Sequence, residues 1–102
     1  MPCFIKTEQF TPEMKMMATE IRNQYLEKHR SWVNNLREKG VKIVSGYLAD
    51  ENSLAGGGGL LFLESNSYKT AKSIIEKDPL ILAGLVVWKI EEWVPVVGNL
   101  RT

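Results

Sequence analysis

One histidine and one Asp-Pro pair carry most of the chemistry that this sequence offers. His29 recurs with Leu26, Val33 and Leu36 at helical spacing, which puts the imidazole on the apolar stripe of a long predicted helix. Asp78-Pro79 closes the next predicted helix, where Asp can N-cap a short turn whose first position is Pro. The negative end of the preceding helix disfavours a carboxylate there unless a cation or donor stands nearby, and a protonated His29 would be such a partner. An Asp that orients an imidazole leaves the other ring nitrogen to take or give a proton, the minimum equipment for general acid-base chemistry near neutral pH. Each residue also has a purely structural use, His29 as a half-buried core residue and Asp78 as a cap. Spacing alone leaves both uses open.

Other chemistries find less support. Cys3 is the only cysteine, so an intrachain disulfide is impossible and a cysteine-based zinc site has no ligand set. No serine lies in a Gly-x-Ser-x-Gly elbow. The run 56–59 of four glycines leads into an apolar strand, whereas a phosphate-binding loop opens a helix with Lys-Ser or Lys-Thr. It reads as a flexible loop and a mobile rim to a cleft. Trp32, Trp88 and Trp93 with Tyr25, Tyr47 and Tyr68 could line a pocket for a flat ligand, but core packing and subunit contact account for most of them. No metal and no cofactor is expected.

Composition bounds the rest. At 102 residues the chain has room for one domain, 1–102, and with 44% hydrophobic and 25% charged residues it falls in the ordinary globular range. A net charge of +1 is too small for the electrostatic footprint of a nucleic-acid binder. Lys28-His29-Arg30 and Arg37-Glu38-Lys39 read as solvated helix flanks. The N-terminus lacks the pattern of a signal peptide, and the uncharged stretch 79–88 is about half of the roughly 20 residues that a membrane span needs. A cytoplasmic protein, with no membrane partner, is the expectation.

Six elements can position the two residues. A β-prone run at 3–7 precedes Thr11-Pro12-Glu13, a helix start with Thr as N-cap, and one helix is expected over about 12–39 with Met14, Met17 and Ile21 continuing its stripe and Gly40 ending it. Strands follow at 41–48 and 60–64, joined by a long glycine-rich connection. Ser67 caps a second helix with Tyr68, Ala71, Ile74 and Ile75 on its apolar face, and the last strand runs over 85–93. The order βαββαβ is the ferredoxin-like α+β arrangement, a four-stranded antiparallel sheet with two helices on one face.

Two helices cover only one face of such a sheet, yet Leu60-Leu61-Phe62-Leu63 is apolar on both, and the last strand has Val86, Trp88 and Ile90 alternating with Leu85, Val87 and Trp93. The second face therefore calls for a cover, and a homodimer packed sheet to sheet supplies one. The tail 94–102 together with the loop is the other candidate.

Several of these residues share an arrangement with a known family. His29 in the first helix, Gly40 at its end, a strand closing on Gly46, the glycine-rich hairpin into Leu60-Leu61-Phe62-Leu63-Glu64, and Asp78-Pro79 followed by Ala83-Gly84-Leu85 resemble the YCII-related family over most of the chain. The resemblance implies a small ferredoxin-like domain forming a dimeric α+β barrel, with His29 and Asp78 as the catalytic pair in a cleft. It also implies ligand-binding positions at Gly46 and Tyr47 on the pocket floor, where the family often has Gly-Pro. A dehydrochlorinase or lyase-type activity has been associated with some members. Two functional classes follow: a cofactor-free enzyme of lyase, isomerase or dehydrochlorinase type acting on a small organic molecule, or a non-catalytic dimeric module that binds a small ligand or a protein through the same cleft.

Overall fold

In the computed structural model, which describes residues 1–98, the chain forms β1 (Cys3–Phe10), α1 (Pro12–Met16), α2 (Thr19–Glu38), β2 (Ile43–Ala49), β3 (Ala55–Glu64), α3 (Tyr68–Ile75), α4 (Pro79–Leu82) and β4 (Val86–Trp93). The strands make one antiparallel sheet in the order β2-β3-β1-β4. This is the ferredoxin-like α+β arrangement. Inward residues of the sheet, Phe4, Ile43, Leu61, Leu63 and Ile90, pack against Val33 of α2 and Ala71 and Ile75 of α3, so both long helices cover the same face. A second cluster, Met14, Leu80, Leu85 and Val86, lies under α1 and α4.

Local chemistry sets the helix starts. Thr11 and Ser67 accept hydrogen bonds from Met14 N and Thr70 N, and Pro12 occupies the first turn of α1. Two expectations change. The helix expected over 12–39 is two, because Met17 and Ala18 take extended conformations between α1 and α2. The break lets α1 turn Met14 into the smaller cluster while α2 runs along β2 with Val33 in the main core. A continuous helix would have carried the stripe through Ile21, and that side chain is 47% exposed.

The four glycines are the second correction. They lie inside β3, where Gly58 and Gly59 pair with Gln9 and Glu8 on one side and with Leu48 and Tyr47 on the other. Pairing on both edges holds Gly58 and Gly59, and Gly56 and Gly57 lie where the register with β2 shifts, so the run is strand rather than the loop expected there, although it does border the cleft. The connection proper is shorter, turning through Asp50, whose carboxylate accepts from Asn52 N and Leu54 N. The first strand, in turn, runs three residues further than expected, to Phe10.

The outer face of the sheet carries Ile5, Val44, Leu60, Phe62, Val87 and Trp93, with Phe62 and Trp93 in edge-to-face contact at 6.1 Å. Leu61 does not belong to it, being buried on the helix side. The described tail residues Val94, Val96 and Val97 are exposed and do not cover this face. The remainder of the tail expectation, 99–102, lies outside the described residues.

Candidate functional site

Period-two alternation along the strands brings the site together from three elements. Facing the helices, Ser45 of β2, Leu61 of β3, Lys6 of β1 and Ile90 of β4 form one cross-strand row, and Tyr47, Gly59, Glu8 and Trp88 form the next. His29 reaches the first row from α2, one turn before buried Val33. Asp78 enters from the start of α4, where it is the N-cap and its Oδ1 accepts from Leu80 N at 2.9 Å.

The imidazole is held at both nitrogens. Nδ1 lies 2.9 Å from Asp78 Oδ1, and Nε2 lies 2.8 Å from Ser45 Oγ. Lys6 Nζ donates to Asp78 Oδ2 at 3.0 Å and also pairs with Glu8. The result is a continuous chain Glu8–Lys6–Asp78–His29–Ser45. Asp78 is 0% exposed and Lys6 1%, so each charge depends on its partners. Burial pushes the Asp78 carboxyl up, but the His29 hydrogen bond, the charges of Lys6 and His29 and the Leu80 N–H outweigh it and leave it below its ordinary 3.8. An ionised Asp78 can only accept, so the proton facing it sits on His29 Nδ1. In the neutral ring Nε2 then has a free pair and accepts from the Ser45 hydroxyl.

Only one side of this chain meets open space. A cleft of about 1220 Å³ between α2 and the β2–β3 side of the sheet is lined by His29, Ser45, Gly46, Tyr47 and Glu8, while Asp78 is not among its lining residues. The four residues singled out in the sequence thus fall into two groups. His29, Gly46 and Tyr47 border the cleft, and Asp78 stands behind His29. Gly59 keeps the floor open, since a Cβ there would lie 3.1 Å from Glu8 Cγ and 3.3 Å from Glu8 Oε2. Among the described residues no group of His, Cys, Asp and Glu is arranged to hold a metal, and no helix is long and apolar enough to cross a membrane.

Lys6, Glu8 and Ser45 escaped the sequence reading. A signal for Lys6 existed: in the alternation Phe4, Lys6, Glu8, a lysine shares the face of a core phenylalanine, which implies a buried ion pair. Ser45 carried no comparable mark, because its partner is sixteen residues away on another element.

A model of the YCII-related domain matches residues 4–94. The chain belongs to the YCII-related family. No curated protein matches it significantly. Among solved structures, a 5-chloro-2-hydroxyhydroquinone dehydrochlorinase from Burkholderia phenoliruptrix AC1100, in complex with 2,5-dihydroxybenzoquinone, superposes with a TM-score of 0.66 at 23% identity, covering 90% of this chain and 93% of that one. A protein from Arabidopsis thaliana gives a TM-score of 0.56 at 14% identity over 98% and 100% of the two chains. A dimeric ferredoxin-like protein from an uncultured marine organism gives 0.51 at 13% identity over 97% and 100%. At these identities the likeness establishes the fold that this YCII-related domain shares with them.

Proposed function

We propose that this YCII-related domain is a cofactor-free enzyme that moves a proton on a small organic molecule, with His29 as the base and acid and Asp78 as its positioning residue. The observation that carries this reading is the His29 ring itself, fixed by a buried carboxylate on Nδ1 and bonded at Nε2 to Ser45, with His29 and Ser45 both on the wall of the cleft. In an elimination, Nε2 takes a proton from carbon, the released C–H electron pair forms the new double bond, and the leaving group departs with its own bonding pair. Asp78 stabilises the imidazolium that results. In an isomerisation the same ring returns the proton at a neighbouring carbon. Ser45 keeps Nε2 aimed at the cleft until substrate takes its place. The dehydrochlorination carried out by the Burkholderia protein is a reaction of the first kind on a fold of this type.

The outer sheet face supports a homodimer, which would give the dimeric α+β barrel. Trp93 is 47% exposed and packs edge to face on Phe62, Leu60 is 39% exposed on the same face, and Val87 stands 69% exposed beyond Lys89 at the far end of β4. Light scattering at micromolar concentration is expected to give twice 11.6 kDa, and Val87→Glu to shift the protein to monomer. A well-folded wild-type monomer would rule the dimer out. A reducing cytoplasmic setting suits the free Cys3.

The proton-transfer reading is tested by Asp78→Asn, which keeps the size of the side chain and a capping oxygen. Removing the negative charge deprives the imidazolium of its counter-charge and is expected to lower turnover in screens of eliminations and isomerisations while the fold persists. His29→Gln is expected to abolish turnover in the same screens. Unchanged turnover in Asp78→Asn would reduce Asp78 to a cap, and turnover that survives His29→Gln would leave the cleft as a binding site without proton chemistry at His29.

A further inference from the structure

The charge lining the cleft is lopsided. Lys15, Arg22, Arg30 and Arg37 border it against a single carboxylate, Glu8, in a chain whose net charge is only +1. Glu8 is already paired with Lys6, Arg30 with Glu27, and Arg37 donates to Asn34. Lys15 and Arg22 differ from these. Neither lies within ion-pair distance of a carboxylate among the described residues. They nonetheless share one end of the cleft, because the Arg22 guanidinium donates to the Lys15 carbonyl at 3.4 Å and to Thr19 Oγ1 at 3.4 Å. The Lys15 side chain lies over Gly57, where a Cβ would approach Lys15 Cε to 3.1 Å and where φ is +83°. Glycine at this position allows both the left-handed backbone and the passage of the lysine.

Both cations border the cleft with no ion-pair partner among the described residues, so an anion entering at this end gains charge-assisted contacts that nothing else there supplies. The break between α1 and α2 brings this about, since it lets the two side chains come from separate elements to one place. Between this end and His29 the wall carries the apolar side chains Phe10 and Leu26. Gly57 precedes Leu61, the row partner of Ser45, by four residues of β3, about 13 Å. An apolar carbon skeleton with an acid group at one end suits this wall.

We propose that Lys15 and Arg22 form an anion-binding end of the cleft, and that the substrate is a planar, unsaturated organic carboxylate whose acid group docks there while its carbon skeleton lies against His29. This rests on the proton-transfer reading for the role of His29, but the anion site is measured without any turnover. It also accounts for a feature that acid-base chemistry leaves unused: a carboxylate anchored at one end fixes which carbon faces Nε2.

The probe is cinnamate, with the neutral cinnamamide as its isostere, titrated into the protein and followed by amide NMR. Cinnamate is expected to bind saturably, shifting signals of Arg22, Gly57 and Tyr47. The double variant Lys15→Gln/Arg22→Gln is expected to weaken it by about tenfold or more, as loss of charge-assisted hydrogen bonds does, and cinnamamide to bind wild type about tenfold more weakly than cinnamate. Equal binding of acid and amide, no saturable binding, or an unchanged affinity in the double variant overturns the anion site. Displacement of cinnamate by equimolar inorganic phosphate overturns the carboxylate class. The two proposals fail separately: the anion site is read from the preference for cinnamate over cinnamamide, which His29→Gln is expected to keep because the acid group docks away from the ring, whereas proton transfer is read from turnover.

Discussion

The two ends of the cleft handle charge in opposite ways. Around Asp78 every charged group is buried and paired, Lys6 to two carboxylates and Asp78 to Lys6, His29 and the Leu80 N–H. Lys15 and Arg22 are nearer solvent, and neither is within ion-pair distance of a carboxylate among the described residues. The first arrangement is rigid because breaking a link leaves a buried charge with fewer partners in a low-dielectric interior. The second is held by solvent and so remains available to a ligand. Fold stability and ring orientation therefore concentrate at one end, and recognition at the other.

The sharpest way to break this contrast is Asp78→Ala. It removes the cap of α4, leaves Lys6 with Glu8 alone and takes the Nδ1 partner from His29, so unfolding in urea is expected to show a loss of about 3–5 kcal/mol, the range for removing one partner of a buried pair. A loss below about 1 kcal/mol would mean that water reaches this end too and the contrast is false. The same carboxylate gives the contrast a pH signature. Its folded pKa lies below its unfolded value, so its stabilisation is complete above about pH 4 and is lost as pH falls through the lower folded pKa. Asp78→Asn is expected to flatten stability against pH in that acid window, and an unchanged slope would show that the carboxyl contributes no linkage.

A smaller effect is expected at Gly59. Because Gly59→Ala would place a methyl against Glu8, it is expected to cost about 1–3 kcal/mol in thermal unfolding and to disturb the Glu8–Lys6 contact. A neutral result would show that Glu8 can move aside and that the paired end is less rigid than the contrast requires. The smallest effect belongs to the exposed Arg30–Glu27 pair of α2, each side chain 67% exposed. Arg30→Ala is expected to change stability by no more than about 0.5 kcal/mol, and a larger loss would mean that exposed charges of α2 carry structure as well.

Much of this molecule was legible as local pattern. Thr11-Pro12, Ser67 and Asp78-Pro79 announced their caps because an N-cap is a contact between residues two or three apart. His29 could be placed on the inner face of its helix by spacing alone, since the 3.6-residue period fixes which side chains share a face. What only the tertiary structure decided is the set of contacts that cross the sheet. Lys6 meets Asp78 across 72 positions of sequence and Ser45 meets His29 across 16, and neither separation leaves a periodic trace. The glycine run misled because glycine has weak local preference, so pairing with β1 and β2 on both edges determined its conformation. The break at Met17 and Ala18 likewise came from packing, because two hydrophobic clusters in different directions had to be filled by one amphipathic stretch. Sequence by itself determined the elements and the face on which the imidazole lies; the fold alone decided what stands on either side of it, because those partners are neighbours only after the sheet has formed.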